Sequence, residues 1–201
     1  MSLTIDLGEV LTQGQAVLRL PAITAEEFYR LAERNPELRV ERNANGELVI
    51  MPPADSYSDS RNSEIVGDLI VWNRQQIEPG LVFGPSAGFT LPNGAIRSPD
   101  AAWLPFAQWE AIPECERSPF AHICPLFVVE LMSPSDRLLD AQSKMEEYIA
   151  NGAQLGWLID RRNHQVFVYR PDQPVQVLDD PAEVSAAREL PGFVIQMSHV
   201  F

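Results

Sequence analysis

Three side chains hold the chemical interest of this sequence: Asp100, Glu130 and Lys144. Glu130 ends the apolar run Leu126 to Val129, which sits behind Pro125 and reads as a buried central strand. Asp100 follows Pro99 and leads into Ala101-Ala102-Trp103-Leu104, a second extended run. An ionised acid at the end of a buried strand is destabilising unless something compensates its charge. Adjacent strands would bring the two carboxylates to one place, where they repel and raise a pKa unless a cation intervenes. Oxygen ligands of this kind suit magnesium or manganese. Lys144 lies two turns into a helix expected from about Asp136. An amine there can orient or activate water, or offset charge on a phosphoryl group. The three together make a sensible site for metal-dependent phosphodiester hydrolysis.

Plainer readings stand beside this one. Asp140 and Lys144 are four apart on one helix, so a surface salt bridge is the simplest account of the lysine. In the sharper account Asp140 is a helper that fixes Lys144. Leu138, Met145, Tyr148 and Ile149 mark the apolar side, and Lys144 sits at its margin. Asp100 reads equally as a turn acid and Glu130 as a loop acid. Glu41, in the first strand of a hairpin, and Glu64, beside the apolar face of a helix, read most simply as solvated charges. Glu41 is nonetheless placed to line the same cleft.

Other chemistries find less support. No GxSxG elbow surrounds Ser133 or Ser135, and the chain carries no GxGxxG or phosphate-loop sequence. His122, His164 and His199 are scattered. Cys115 and Cys124 match no zinc-finger spacing with His122, and are expected to be free, mostly buried thiols.

The elements that must position the three residues follow from pattern. The 201 residues are 45% hydrophobic and 21% charged, which suits one soluble domain over residues 21–201 behind an N-terminal arm over 1–20. Thr24 to Glu27 reads as a capping box before a helix that Asn35-Pro36 stops. Leu38 to Met51 reads as a hairpin turning at Asn45-Gly46, ended by Pro52-Pro53. A second helix is expected from Ser58 to Gln76. Short strands follow at Leu81 to Phe83, Phe89 to Leu91 and Ala95 to Leu104, the last broken by Pro99. A short helix is expected near Gln108. The helix of Lys144, capped by Ser135 or Asp136, ends at Asn151-Gly152. Strands at Leu155 to Asp160, His164 to Tyr169, Val175 to Leu178 and Phe193 to Met197 complete the chain. The fold class is α/β (α+β): a central mixed sheet flanked by helices, with an N-terminal hairpin extension.

The formal charge of −13 opposes non-specific binding to nucleic acid. It does not exclude DNA as substrate, because divalent ions, a local basic patch or a dimeric cleft can offset it. No stretch is apolar for the length of a membrane span, and the N-terminus lacks the pattern of a signal peptide. A cytoplasmic location is the expectation.

At SPDAAW around Asp100, PLFVVELMSPSD around Glu130 and DAQSKMEEYIANGAQLGWLID around Lys144, the sequence resembles a known family. This is the group of restriction-endonuclease-like proteins abundant in cyanobacterial genomes, within the PD-(D/E)XK nuclease superfamily. GELVIMPP, GFTLPNGAIRSPD and LPGFVI extend the likeness over roughly residues 20 to 200. The resemblance implies a restriction-endonuclease-like fold. It implies a Mg2+-dependent (or Mn2+-dependent) endonuclease acting on DNA, with Asp100 and Glu130 as metal ligands. Met132 stands where the superfamily motif has its lysine, and Lys144 resembles the migrated replacement. Glu41 resembles the glutamate that this family carries in its hairpin. A homodimer would suit cutting of two strands. The displaced lysine and the acidity favour an alternative, a non-catalytic interaction or nucleic-acid-binding module on the same fold.

Overall fold

The computed structural model describes residues 18–51, 55–134 and 136–201. Most of the expected arm, the Pro52-Pro53 strand stop and the possible cap Ser135 lie outside these residues. In chain order, β1 (Leu18–Ala22) precedes α1 (Ala25–Arg34). The capping box is complete: Glu27 N donates to Thr24 Oγ1 at 3.2 Å and Thr24 N donates to Glu27 Oε2 at 2.8 Å. β2 (Arg39–Arg42) and β3 (Glu47–Met51) form the hairpin, with Gly46 at φ +85°, a conformation that favours glycine. α2 (Ser56–Asn73) starts two residues before the expected Ser58, because Asp55 caps it by accepting from Tyr57 N and Ser58 N.

β4 (Gly80–Phe83), β5 (Phe89–Thr90), β6 (Ile96–Arg97) and β7 (Ala101–Pro105) come next. Pro99 falls between β6 and β7, so it breaks no ladder. α3 (Phe106–Ala111) leads to β8 (Phe127–Leu131) and α4 (Leu138–Ala150). α4 starts later than expected, with Arg137 as its N-cap and no side-chain cap bond. Asp136 instead accepts from Ser133 N at 2.7 Å, closing the preceding turn. β9 (Leu155–Asp160), β10 (Gln165–Tyr169), β11 (Gln176–Asp179), β12 (Glu183–Ser185) and β13 (Val194–Gln196) follow. His164 is not in β10; it takes φ +51° in the turn before it.

The central sheet has the order β11-β10-β9-β8-β7-β4 and is mixed: β8 and β9 are parallel, and their neighbours pair antiparallel. A parallel pair needs a crossover, and α4 supplies it. The hairpin belongs to a second sheet, ordered β1-β3-β2-β6-β5, and β12-β13 form a third. The expected mixed sheet with flanking helices and a hairpin extension is the architecture observed.

Strand parity then assigns the faces. Phe127, Val129 and Leu131 of β8 pack with Ile65, Leu69 and Trp72 of α2 and Phe193 from the C-terminal segment. Val128 turns the other way, to Met145 and Tyr148 of α4. Glu130 shares that second face, so it points toward α4. A Cβ on Gly156 of β9 would come within 2.4 Å of Met145 Cε, so the glycine permits α4 to lie close. In β2, Val40 packs on Phe28 of α1. The next residue, Glu41, therefore faces away from α1. Cys124 is buried but Cys115 is exposed, so only one of the two free thiols fits the expected burial.

Candidate active site

The parity of two sheets and one helix converges on Lys144. Its Nζ lies 2.8 Å from Glu130 Oε1 and 2.8 Å from Glu41 Oε1. A lysine aimed between two buried acids is not the surface residue that helix spacing alone suggested. Asp140, one turn earlier, is exposed. Glu41 is only 2% exposed, so its reading as a solvated charge is corrected. Glu64 is exposed, as that reading expects.

Glu41 reaches further. Its Oε2 accepts from Arg97 Nη1 at 3.0 Å and its Oε1 from Ser98 N at 3.0 Å. Arg97 Nε in turn donates to Glu147 Oε2 at 2.6 Å. Tyr148 OH donates to Glu130 Oε1 at 3.0 Å. Asp100 sits beside them: its Oδ2 accepts from Leu131 N, the residue after Glu130, at 2.9 Å. Its Oδ1 has a longer contact, 3.4 Å, to Arg39 Nη2. The structure thus gathers Asp100, Glu130, Lys144 and Glu41, and adds Arg39, Arg97, Glu147 and Tyr148.

The added residues left unequal signals in the sequence. Glu147 is three after Lys144 and shares its helix side, which spacing could have shown. Tyr148 was counted as apolar, yet a buried phenol seeks a partner for its hydroxyl. Arg97 lies on a strand of two residues, too short for alternation to orient it.

The electrostatics are uneven. Burial pushes the Glu130 carboxyl up; Lys144 opposes this, while Asp100 and Glu41 add to it, leaving it at about 7. Burial also raises Asp100, more than the bond from Leu131 N and the charges of Lys144 and Arg39 offset. For Glu41 burial again works upward, but Lys144 and Arg97 outweigh it and the net shift is downward. Burial disfavours the Lys144 ammonium, yet Glu130 and Glu41 more than compensate and raise its pKa. Tyr148 is raised by burial and by Glu130, so it stays a neutral donor.

These residues fit a magnesium-type ion on the chemistry of their donors. Burial holds both Asp100 and Glu130 above their ordinary values despite the cations beside them. A divalent ion between them would favour their charged forms. Both bonds to Glu130 fall on Oε1 and leave Oε2 outside them. Among the described residues no three His, Cys, Asp or Glu form a metal-holding group. Magnesium does not require one: it keeps several waters and takes one or two carboxylates. Asp100 and Glu130 are the residues that would hold it.

A family model described as Uma2, putative restriction endonuclease, matches residues 25–198. Among curated proteins, none matches the chain in sequence. Among solved structures, a crystal structure from Anabaena variabilis, described as a putative nuclease belonging to DUF820, superposes with a TM-score of 0.70. It is 22% identical and the alignment covers 98% of each chain. Identity that low speaks for the fold alone. Among the described residues, no helix is long and apolar enough to cross a membrane.

Proposed function

Because the chain belongs to the family described as putative restriction endonucleases, we propose that its carboxylate–lysine cluster is the site of a metal-dependent DNA endonuclease. One observation carries this reading: Lys144, on the helix after β8, reaches Glu130 at 2.8 Å, while Leu131 N holds Asp100 beside it at 2.9 Å. A magnesium or manganese ion on Asp100 and Glu130 would polarise the phosphoryl group.

The chain's own residues would do the rest. Leu131 N holds Asp100 by Oδ2 and leaves Oδ1 with only the long Arg39 contact. Lys144 and Tyr148 hold Glu130 by Oε1. Both carboxylates are thereby oriented before substrate arrives, which is what electrostatic catalysis requires. Lys144 stays protonated between two acids. It acts as a hydrogen-bond donor and positive charge toward the phosphate or the attacking water, and not as a base. Glu41, held by Arg97 and Ser98 N, fixes the ammonium. Cutting both strands of a duplex would suit two such sites related by symmetry, as in a homodimer.

The alternative is a non-catalytic interaction or nucleic-acid-binding module, favoured by the charge of −13 and by the two ion pairs that already occupy Lys144. Incubation with plasmid, linear duplex and single-stranded DNA, under magnesium, manganese or chelator, separates the two. Metal-dependent cleavage that is lost in Asp100→Ala, Glu130→Ala and Lys144→Ala supports the enzyme. DNA binding without cleavage under every metal supports the module.

A further inference from the structure

A second charged cluster lies at the same end of the central sheet and plays no part in the site above. Glu130 is opposite Leu158 and Leu131 opposite Ile159, so the loop after β8 and the loop after β9 emerge side by side. Arg161 and Arg162 follow β9 directly. Arg162 Nη2 donates to Pro134 O at 2.6 Å and ties the two loops together. Arg161 turns to the α2 side, where its Nη2 donates to Ser58 Oγ at 2.7 Å. Its guanidinium lies 5.0 Å from the ring centre of Tyr57, and that of Arg61 lies 4.6 Å from the same ring. Arg61 also donates to Tyr57 OH at 3.0 Å and to His199 O at 3.3 Å.

Two guanidinium groups on one ring, in a chain of charge −13, would ordinarily be matched by acids. Among the described residues neither arginine has a carboxylate within ion-pair distance: their bonds run to neutral oxygens, and Asp55, which accepts from the Ser58 hydroxyl, meets the charge of Arg161 only from beyond that distance. Buried polar atoms nearby go unanswered. Arg61 Nε, Arg161 Nε, Arg161 Nη1 and Asn62 Oδ1 are four of the five buried side-chain polar atoms that lack a hydrogen-bond partner among the described residues. Asn62 is 7% exposed and sits one turn after Ser58 on the buried stripe of α2. Unmet buried donors call for a bound group to explain them. Three of these four are guanidinium N–H groups, so the group that fits is an oxyanion. The exposed ring of Tyr57 opens the cluster to solvent.

We propose that Arg61 and Arg161, braced on Tyr57 and Ser58, form an anchor for a backbone phosphate of the nucleic acid strand, at the same end of the sheet as the carboxylates but on its α2 face. This rests on the reading that the substrate is nucleic acid. The anchor supplies the local positive charge that an acidic protein needs to hold such a strand. Phosphate contacts fix register and carry no sequence information, so the anchor positions a strand of any sequence.

The test is binding of a fluorescent DNA duplex and of its single strand by the full chain in chelator, over a series of salt concentrations, so that no cleavage is needed. For R61Q/R161Q we expect affinity about 10-fold or more below wild type, and a salt slope smaller by about 1 to 2. Manganese affinity should be unchanged. The glutamines keep polar groups against Ser58 and Tyr57, so this pair is the variant of record if R61A/R161A does not fold. Wild-type affinity and salt slope in R61Q/R161Q would overturn the anchor, as would a wild-type protein that binds neither DNA. Loss of binding in R61Q/R161Q by a wild-type protein that never cleaves would remove the nuclease and keep the anchor. Cleavage by wild type with unchanged binding in R61Q/R161Q would do the reverse.

Discussion

On the α4 side of the sheet's end, Lys144 touches two carboxylates at 2.8 Å each, and Arg97 bridges Glu41 and Glu147. On the α2 side, Arg61 and Arg161 share an aromatic ring and leave buried N–H groups without acceptors among the described residues. The first cluster has acids in excess and its cations fully engaged. The second has two guanidinium groups with no ion-paired acid among the described residues, Asp55 meeting Arg161 only from beyond ion-pair distance. An excess of buried carboxylate is relieved by a metal ion, and an excess of guanidinium by a phosphate. The two clusters thus carry opposite deficits, although the chain as a whole is acidic.

Breaking the acidic half should have the largest effect. Asp100→Ala or Glu130→Ala removes a ligand and should lower metal-dependent cleavage by about 10³-fold or more, read as kcat/KM on plasmid. Lys144→Ala should cost about 10²- to 10³-fold, with the larger part in kcat because the ammonium acts on developing charge. Next comes Glu41→Ala. It leaves Lys144 and Arg97 with one acid fewer in a buried place, and breaking such pairs costs about 3–5 kcal/mol. Chemical denaturation should show that loss, and Glu41→Gln should show less of it.

A pH series sharpens the contrast within the acidic half. Glu130 is raised above its ordinary value, to about 7, so the folded protein holds a proton that the unfolded chain releases. Lowering the pH through about 7 should therefore stabilise the metal-free protein, and raising it should remove that gain. Glu41 is shifted the other way, so its stabilisation is present above the ordinary carboxylate value and fades only in acid. The melting temperature of chelated wild type should rise from about pH 8 to about pH 6, and Glu130→Gln should lack that rise. The smallest effect falls on the brace. Tyr148→Phe removes one hydrogen bond to Glu130 and should cost about 0.5–1.5 kcal/mol in denaturation, with no change in fold.

Much of this was readable from the chain, because the buried strand β8 and the amphipathic α4 each have strong periodicity. Apolar flanks mark Glu130 as an expensive charge, and the turn Asn151-Gly152 fixes the end of the helix that carries Lys144. What could not be read was what lies across a sheet. Glu41 looked solvated because a hairpin's pattern shows which way a side chain points, not what meets it. The short strand of Arg97 and the distant pairing of β12 with β13 depend on contacts far apart in sequence. The start of α2 was missed for a local reason, an aspartate cap one residue before the helix.

The central claim is that Asp100 and Glu130 hold a divalent ion beside a protonated Lys144. Titration of the metal-free protein with Mn2+, followed by the loss of its free-ion electron paramagnetic resonance signal, tests it directly. Wild type should bind Mn2+ saturably, D100N/E130Q should not bind it, and Lys144→Ala should still bind. Equal binding by wild type and D100N/E130Q would contradict it.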